Sequence, residues 1–119
     1  MTPTVLIVDD DPDCAEALSD TLQDVGYQAL TAASAMDALR YLKSERRPSV
    51  IILDLLMPGM TGEEFLEQRQ ADPLLAEIPV IVLSATPPPW PAGDGRMPVL
   101  RKPVDPAELL EIIASVTSL

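Results

Sequence analysis

Five short apolar runs alternate with segments of helical period, and this alternation constrains the fold more than any other feature of the chain. Thr4-Val5-Leu6-Ile7-Val8 is apolar and β-branched, the composition of a strand buried on both faces. Residues 28–33 read as a weaker second strand, Ser49-Val50-Ile51-Ile52-Leu53 as a third, Pro79-Val80-Ile81-Val82-Leu83 as a fourth and Val99-Leu100-Arg101 as a short fifth. Between them the period changes. Asp11-Pro12 has the form of an N-cap followed by proline at the first helical position, and Ala15, Leu18, Leu22 and Val25 then recur at helical spacing until Gly26 stops the run. Ser34 caps a second helix with Ala35, Ala38, Leu39 and Leu42 on one face. A third spans 62–71 and is ended by Asp72-Pro73. Asp105-Pro106 repeats the cap-plus-proline signal before Leu109, Ile112, Ile113 and Val116.

Strand and helix in strict alternation predict an α/β fold, a parallel sheet with helices on both faces. Right-handed crossovers and 119 residues favour a doubly wound, five-stranded sheet of order 2-1-3-4-5, in one domain covering residues 1–119. The pattern breaks after the fourth strand. Pro87, Pro88, Pro89, Pro91 and Pro98, with Gly93 and Gly95 among them, allow no regular helix, so the helix expected there is shortened or replaced by a Pro-rich loop. The N-terminus lacks a basic region followed by an apolar one, and no apolar run approaches the ~18 residues of a membrane span. A cytoplasmic protein with no membrane contact is expected. Cys14, the one cysteine, has no internal disulfide partner and is expected to be a small packing residue in the first helix.

Charge narrows the function. Nineteen acidic residues against eight basic ones leave a net charge of −11, which argues against nucleic acid as a partner and for a basic partner or bound cations. The chain has no histidine. It therefore lacks the usual general base and the usual zinc ligand, and cannot carry a phosphohistidine of its own.

In open parallel sheets, ligands bind beyond the carboxyl ends of the strands where strand order reverses, here between strands 1 and 3. Strand 1 runs into Asp9-Asp10-Asp11 and strand 3 into Asp54, while strand 4 ends at Ser84 and strand 5 at Lys102. Carboxylates from two neighbouring strands thus converge beside a hydroxyl and an ammonium. Carboxylate oxygens without histidine or thiolate select a hard cation, Mg²⁺ first, which takes one or two carboxylates plus a phosphate oxygen. An aspartate is also a recognised nucleophile for phosphorus, and Asp54 beside the acidic cluster is the natural acceptor. Lys102 would neutralise charge on a transferring phosphoryl group, and Ser84 would donate to one of its oxygens.

With these residues the whole chain resembles the receiver domains of two-component response regulators. The likeness rests on Val8-Asp9-Asp10, on Leu53-Asp54-Leu55-Leu56-Met57-Pro58-Gly59, on Leu83-Ser84-Ala85 and on Lys102-Pro103. It implies the flavodoxin-like receiver fold and a set of roles. Asp54 would be the phospho-acceptor. Asp10 and Asp54 would bind Mg²⁺ directly, Asp9 largely through water, and the backbone carbonyl of Leu56 would complete the protein ligands. Ser84 would be the switch hydroxyl, Ala85 would keep the approach to Asp54 open, and Lys102 would pair with Asp54 or its phosphate, with Lys102-Pro103 cis. The chain would take a phosphoryl group from a sensor histidine kinase or histidine phosphotransfer protein, lose it to water, and so switch a surface read by a downstream protein or a fused output domain. It would not be a conventional enzyme, catalysing only its own phosphorylation and dephosphorylation.

Two departures bear on that reading. The family usually carries tyrosine or phenylalanine three residues before the lysine, where this chain has Val99, and the interval from Ser84 to Lys102 is shorter than usual and Pro-rich. A phosphorylation-independent interaction module is therefore one alternative. A metal-dependent phosphatase acting through the D-x-D pattern in Asp9-Asp10-Asp11 is another, although it leaves Asp54 unexplained. Among the remaining residues, Asp11 reads as an N-cap, Met57, Met60 and Pro58-Gly59 as loop-shaping, and Glu63, Glu64 and Glu67 as a solvated first-turn face. Trp90 reads equally as a partner anchor and as a cover for the core.

Overall fold

The computed structural model describes residues 3–43, 47–54, 62–84, 99–101 and 104–117. The elements follow in the order β1 (Thr4–Val8), α1 (Pro12–Asp24), β2 (Gln28–Ala32), α2 (Ala35–Leu42), β3 (Val50–Asp54), α3 (Gly62–Ala71), α4 (Pro73–Ala76), β4 (Val80–Ser84), β5 (Val99–Arg101) and α5 (Pro106–Thr117). The five strands form one parallel sheet in the order β2-β1-β3-β4-β5, as the strand–helix alternation predicts.

Period-two patterning sorts the central strands between two cores. Leu6, Val8, Ile51, Leu53, Val80 and Val82 face α2 and pack with Ala35, Ala38, Leu39 and Leu42. Val5, Ile7, Val50, Ile52, Ile81 and Leu83 face the other way, onto Ala15 and Leu22 of α1 and Leu109 and Ile113 of α5. Strands buried on both faces carry apolar residues at every position, which is why β3 and β4 are continuous Val/Ile/Leu runs up to their polar last residue. Fully burying each such side chain stabilises the fold by roughly 1.5–3 kcal/mol.

The helix ends follow from local chemistry. The Asp11 carboxylate accepts from the N–H groups of Asp13 (3.0 Å) and Cys14 (3.5 Å), and Pro12 occupies a position whose N–H would have no helical partner. Ser34 Oγ accepts from Asp37 N–H at 3.1 Å, and Asp105 from Ala107 N–H at 3.1 Å. At the other end of α1, Gly26 sits at φ +99°. It donates to Gln23 O, while Tyr27 N–H reaches back to Leu22 O, both at 3.0 Å, a paired closure that needs the left-handed residue.

One element is absent from the sequence reading. Asp72-Pro73 does end α3, but it also opens the one-turn helix α4, with Ala76 N–H donating to Asp72 O at 2.9 Å. Glu64 and Glu67 of α3 are exposed, in keeping with a solvated face, and Cys14 is half-buried. The Pro-rich segment 87–98, expected to replace or shorten a helix, lies outside the described residues, as do Ala85, Trp90, the loop residues Met57 to Met60 and the Lys102-Pro103 bond. No helix among the described residues is long and apolar enough to cross a membrane.

Candidate functional site

The register of the sheet builds the site. Val8 pairs with Leu53, so Asp9 and Asp54, the next residue on each strand, arrive side by side at the carboxyl edge. Asp54 is the last ladder residue of β3 and pairs with Leu83, which sets Ser84 one step further along β4. Ser84 in turn pairs with Arg101, so Lys102 is next in sequence beyond the end of β5. Asp9 N–H donates to Ala32 O at 3.1 Å, carrying the β1–β2 alignment one residue past β1.

Three consecutive aspartates then take three different positions. Asp9 is 2 % exposed, and its Oδ1 accepts from Asp11 N–H at 2.9 Å, which bends the chain from strand into helix. Asp10 is exposed. Asp11 is exposed too, and its carboxylate is engaged as the cap of α1. Asp54 and Ser84 are buried, at 6 % and 2 % exposure. One carboxylate oxygen from each of Asp9, Asp10 and Asp54 lies within 4.8 Å of the other two.

Two buried carboxylates and a third within that distance repel one another. At an effective dielectric constant of ~20, unit charges at this spacing cost about 3.5 kcal/mol for the buried Asp9–Asp54 pair, and water reduces the cost for pairs with the exposed Asp10. Oxygen donors alone, without thiolate or imidazole, match a hard divalent cation, and the donor set fits Mg²⁺. The sequence-predicted residues Asp9, Asp10 and Asp54 are thus brought together, with Ser84 on the adjoining strand. Leu56 and Lys102 lie outside the described residues.

One part of this end of the sheet lies beyond the residues that the strand ends predict. A cleft of about 370 Å³ adjoins Asp9 and Asp10 and is lined by Glu16 and Ser19 of α1 and Thr31 of β2. The signal was available: Pro12, Ala15, Glu16 and Ser19 follow the helical period and share the face of α1 that looks toward the strand end.

Comparison with known proteins places this geometry. The family profile of the response regulator receiver domain matches residues 5–114. The chain is 34 % identical over 116 residues to the protein PilH of Pseudomonas aeruginosa, covering 94 % of this chain and 95 % of PilH. It is 35 % identical over 82 residues to the phosphate regulon transcriptional regulatory protein PhoB of the same organism, covering 69 % of this chain but only 35 % of PhoB. Among solved structures, the chemotaxis protein CheY4 of Vibrio cholerae superposes with a TM-score of 0.87 at 33 % identity, covering 98 % of this chain and 99 % of that one. The family profile spans almost the whole length, and the chain belongs to the response regulator receiver domains of two-component signalling.

Proposed function

We propose that this chain is a phospho-acceptor module in which Asp54 takes a phosphoryl group from a phosphohistidine on a partner kinase or phosphotransfer protein. The observation that carries the reading is the buried Asp54 at the carboxyl edge, with Asp9 and Asp10 oxygens within 4.8 Å and the Ser84 strand end beside it. An Asp54 oxygen attacks phosphorus. The O–P bond forms as the N–P bond breaks, and the bonding pair returns to the partner's imidazole nitrogen. Water later attacks the aspartyl phosphate, releasing inorganic phosphate and restoring the carboxylate.

Asp10 and Asp54, with Asp9 through water and the carbonyl of Leu56, would hold Mg²⁺, which when bound supplies positive charge to the phosphoryl oxygens. β3 holds Asp54 in the ladder between β1 and β4, so the nucleophile is positioned by the sheet. Ser84 donates to a phosphoryl oxygen. Lys102 follows the residue paired with Ser84 and pairs with the anionic product. Residues 1–119 act as one receiver unit in the cytoplasm, with no nucleic acid contact of its own, and pass the signal through a protein surface. The unit catalyses only its own phosphorylation and dephosphorylation.

The phosphatase alternative needs both Asp9 and Asp11 carboxylates in the site, and Asp11 caps α1 instead. The phosphorylation-independent alternative predicts no labelling at Asp54. Incubation with acetyl phosphate and Mg²⁺, followed by intact-mass analysis, tests the reading. The wild type gains one phosphoryl group, Asp54→Asn gains none and Ser84→Ala gains it more slowly. Beryllofluoride binding by the wild type and its loss in Asp54→Asn is the companion measurement where the acyl phosphate is short-lived. Equal labelling of Asp54→Asn, or a wild type inert to both reagents, refutes Asp54 as acceptor.

A further inference from the structure

The opposite end of the sheet carries a second cleft. It has a volume of about 750 Å³ and lies along the amino-terminal half of β2, lined by Thr4, Gln23, Tyr27, Gln28, Tyr41 and Arg47 together with strand residues Ala29 and Leu30. Among the described residues β2 is a sheet edge, paired only with β1. Gln28 N–H donates to Pro3 O and Ala32 O accepts from Asp9 N–H, so the even-numbered residues of β2 turn their backbone groups to β1. Ala29 and Thr31 therefore present N–H and C=O to the open edge.

Exposed edges are ordinarily guarded against strand pairing by charge, proline or a bulge. The sequence of β2, QALTA, contains neither charge nor proline. The tyrosines, moreover, stand on opposite faces of the sheet. Tyr27 packs with the α1/α5 core and Tyr41 with the α2 core. The closure of α1 at Gly26 places Tyr27 there by returning its N–H to Leu22 O. Side chains of an added strand would alternate between the two rings. Arg47 is the one charged residue among the described lining residues, a cation in a chain of net charge −11.

We infer that the β2 edge is a docking site for an extended peptide segment of a partner protein, added antiparallel to β2 with a carboxylate at its C-terminal end beside Arg47. Main-chain hydrogen bonds to Ala29 and Thr31 give the attachment, the tyrosines take apolar side chains on each face, and Arg47 sets the direction. A second copy of this chain is the poorer occupant. Antiparallel pairing of two β2 strands sets both α1 helices on the same face. Each presents Asp13, Glu16, Asp20 and Asp24, all exposed, with no cation on the helix. The site does not use Asp54 and does not rest on the phosphorylation chemistry.

The test uses a fluorophore-labelled six-residue peptide of alternating valine and threonine ending in glutamate with a free carboxyl terminus, titrated with the whole chain and followed by anisotropy. Saturable binding is expected. Thr31→Pro removes an outward N–H and an exposed side chain without breaking a bond to β1, at the kind of edge position where a strand tolerates proline, so it should leave the circular dichroism spectrum unchanged and weaken binding at least about tenfold. N-methylation of the peptide at its inward-facing amides should do the same without touching the protein. Arg47→Glu should weaken this peptide but not one ending in glutamine amide. Absence of binding to the wild type, or binding indifferent to both Thr31→Pro and N-methylation, overturns the proposal. A concentration-dependent dimer in sedimentation, abolished by Thr31→Pro, overturns the choice of partner in favour of a second copy.

Discussion

Replacing Asp54 by asparagine should stabilise the metal-free protein and abolish its response to Mg²⁺. The three carboxylate oxygens lie within 4.8 Å of one another. The Asp9–Asp54 pair is buried, at 2 % and 6 % exposure, so an effective dielectric constant of ~20 applies and the repulsion is about 3.5 kcal/mol. Asp10 is exposed, and water reduces its repulsion of Asp54 to about 0.9 kcal/mol. The amide side chain would retain the shape and a carbonyl acceptor but weaken the other interactions that Asp54 makes. If those interactions offset about 2.4–3.4 of the roughly 4.4 kcal/mol of repulsion, a net gain of about 1–2 kcal/mol remains, or a melting temperature raised by about 4–8 °C in a chain of this length. In the wild type, Mg²⁺ at ten times its dissociation constant should add about 1.4 kcal/mol by mass action. Thermal melts of wild type and Asp54→Asn, each in chelator and in millimolar Mg²⁺ at matched ionic strength, give the four numbers required. A variant that melts below the wild type in chelator refutes the electrostatic argument. A variant that keeps the full Mg²⁺ shift refutes the metal assignment.

Other perturbations separate the roles of neighbouring residues. Asp11→Ala should cost about 1 kcal/mol through the lost cap of α1, seen as a lower melting temperature, while acetyl phosphate labelling persists. Gly26→Ala should destabilise by about 1 kcal/mol for conformational reasons alone, because φ is +99° and an added Cβ would meet no atom within 4 Å; chemical denaturation reads the change. Trp90, the only tryptophan, should change its fluorescence when beryllofluoride binds; an unchanged spectrum despite demonstrated binding means the segment after Ser84 does not respond to the acceptor site.

Much of the architecture was legible because the strands are buried on both faces and announce themselves as apolar runs. The limits of that signal are equally physical. Ser49 and Pro79 head their runs but lie just outside β3 and β4, bonded to the sheet through Ser49 N–H to Thr4 O and Ile51 N–H to Pro79 O. Asp54 and Ser84, the polar residues that follow the apolar runs, are the last residues of β3 and β4, as the reading of the strand ends has them. Pairing of Asp54 with Leu83 outweighs the local preference of an aspartate for turns. The helix α4 follows the same Asp-Pro signal that opens α1 and α5, read at Asp72-Pro73 only as a stop. Asp9, Asp10 and Asp54 were legible as a group because the strand order puts β1 beside β3. Their unequal burial was not, since it depends on which way each side chain leaves the strand end. The β2 cleft was beyond reach of any local pattern: Tyr27 follows α1 and Tyr41 lies within α2, they pack on opposite faces of the sheet, and both line the cleft.

That unequal burial has a consequence for the chemistry. Asp54 is held by ladder pairing with β4 and flanked by β1, so its backbone moves only if the sheet moves, and burial restricts its carboxylate. Asp9 is pinned as well, its Oδ1 tied to the Asp11 N–H at the turn into α1. Asp10 shares the cluster but is exposed, with room to adjust. A site that must bind a hard cation, admit a phosphoryl group and release phosphate needs a fixed nucleophile, since misplacement by about 1 Å can cost ~10²-fold in rate. It also needs a ligand that can follow the change in charge. The sheet supplies the first through β3, and the turn after β1 supplies the second. Asp10→Asn should therefore impair Mg²⁺ binding more than it alters the fold. Asp9→Asn, which weakens the acceptor of the turn hydrogen bond, should alter both. Mg²⁺ titration and melting of the two variants would show that separation, and equal effects in both variants would mean that the cluster acts as a single rigid unit.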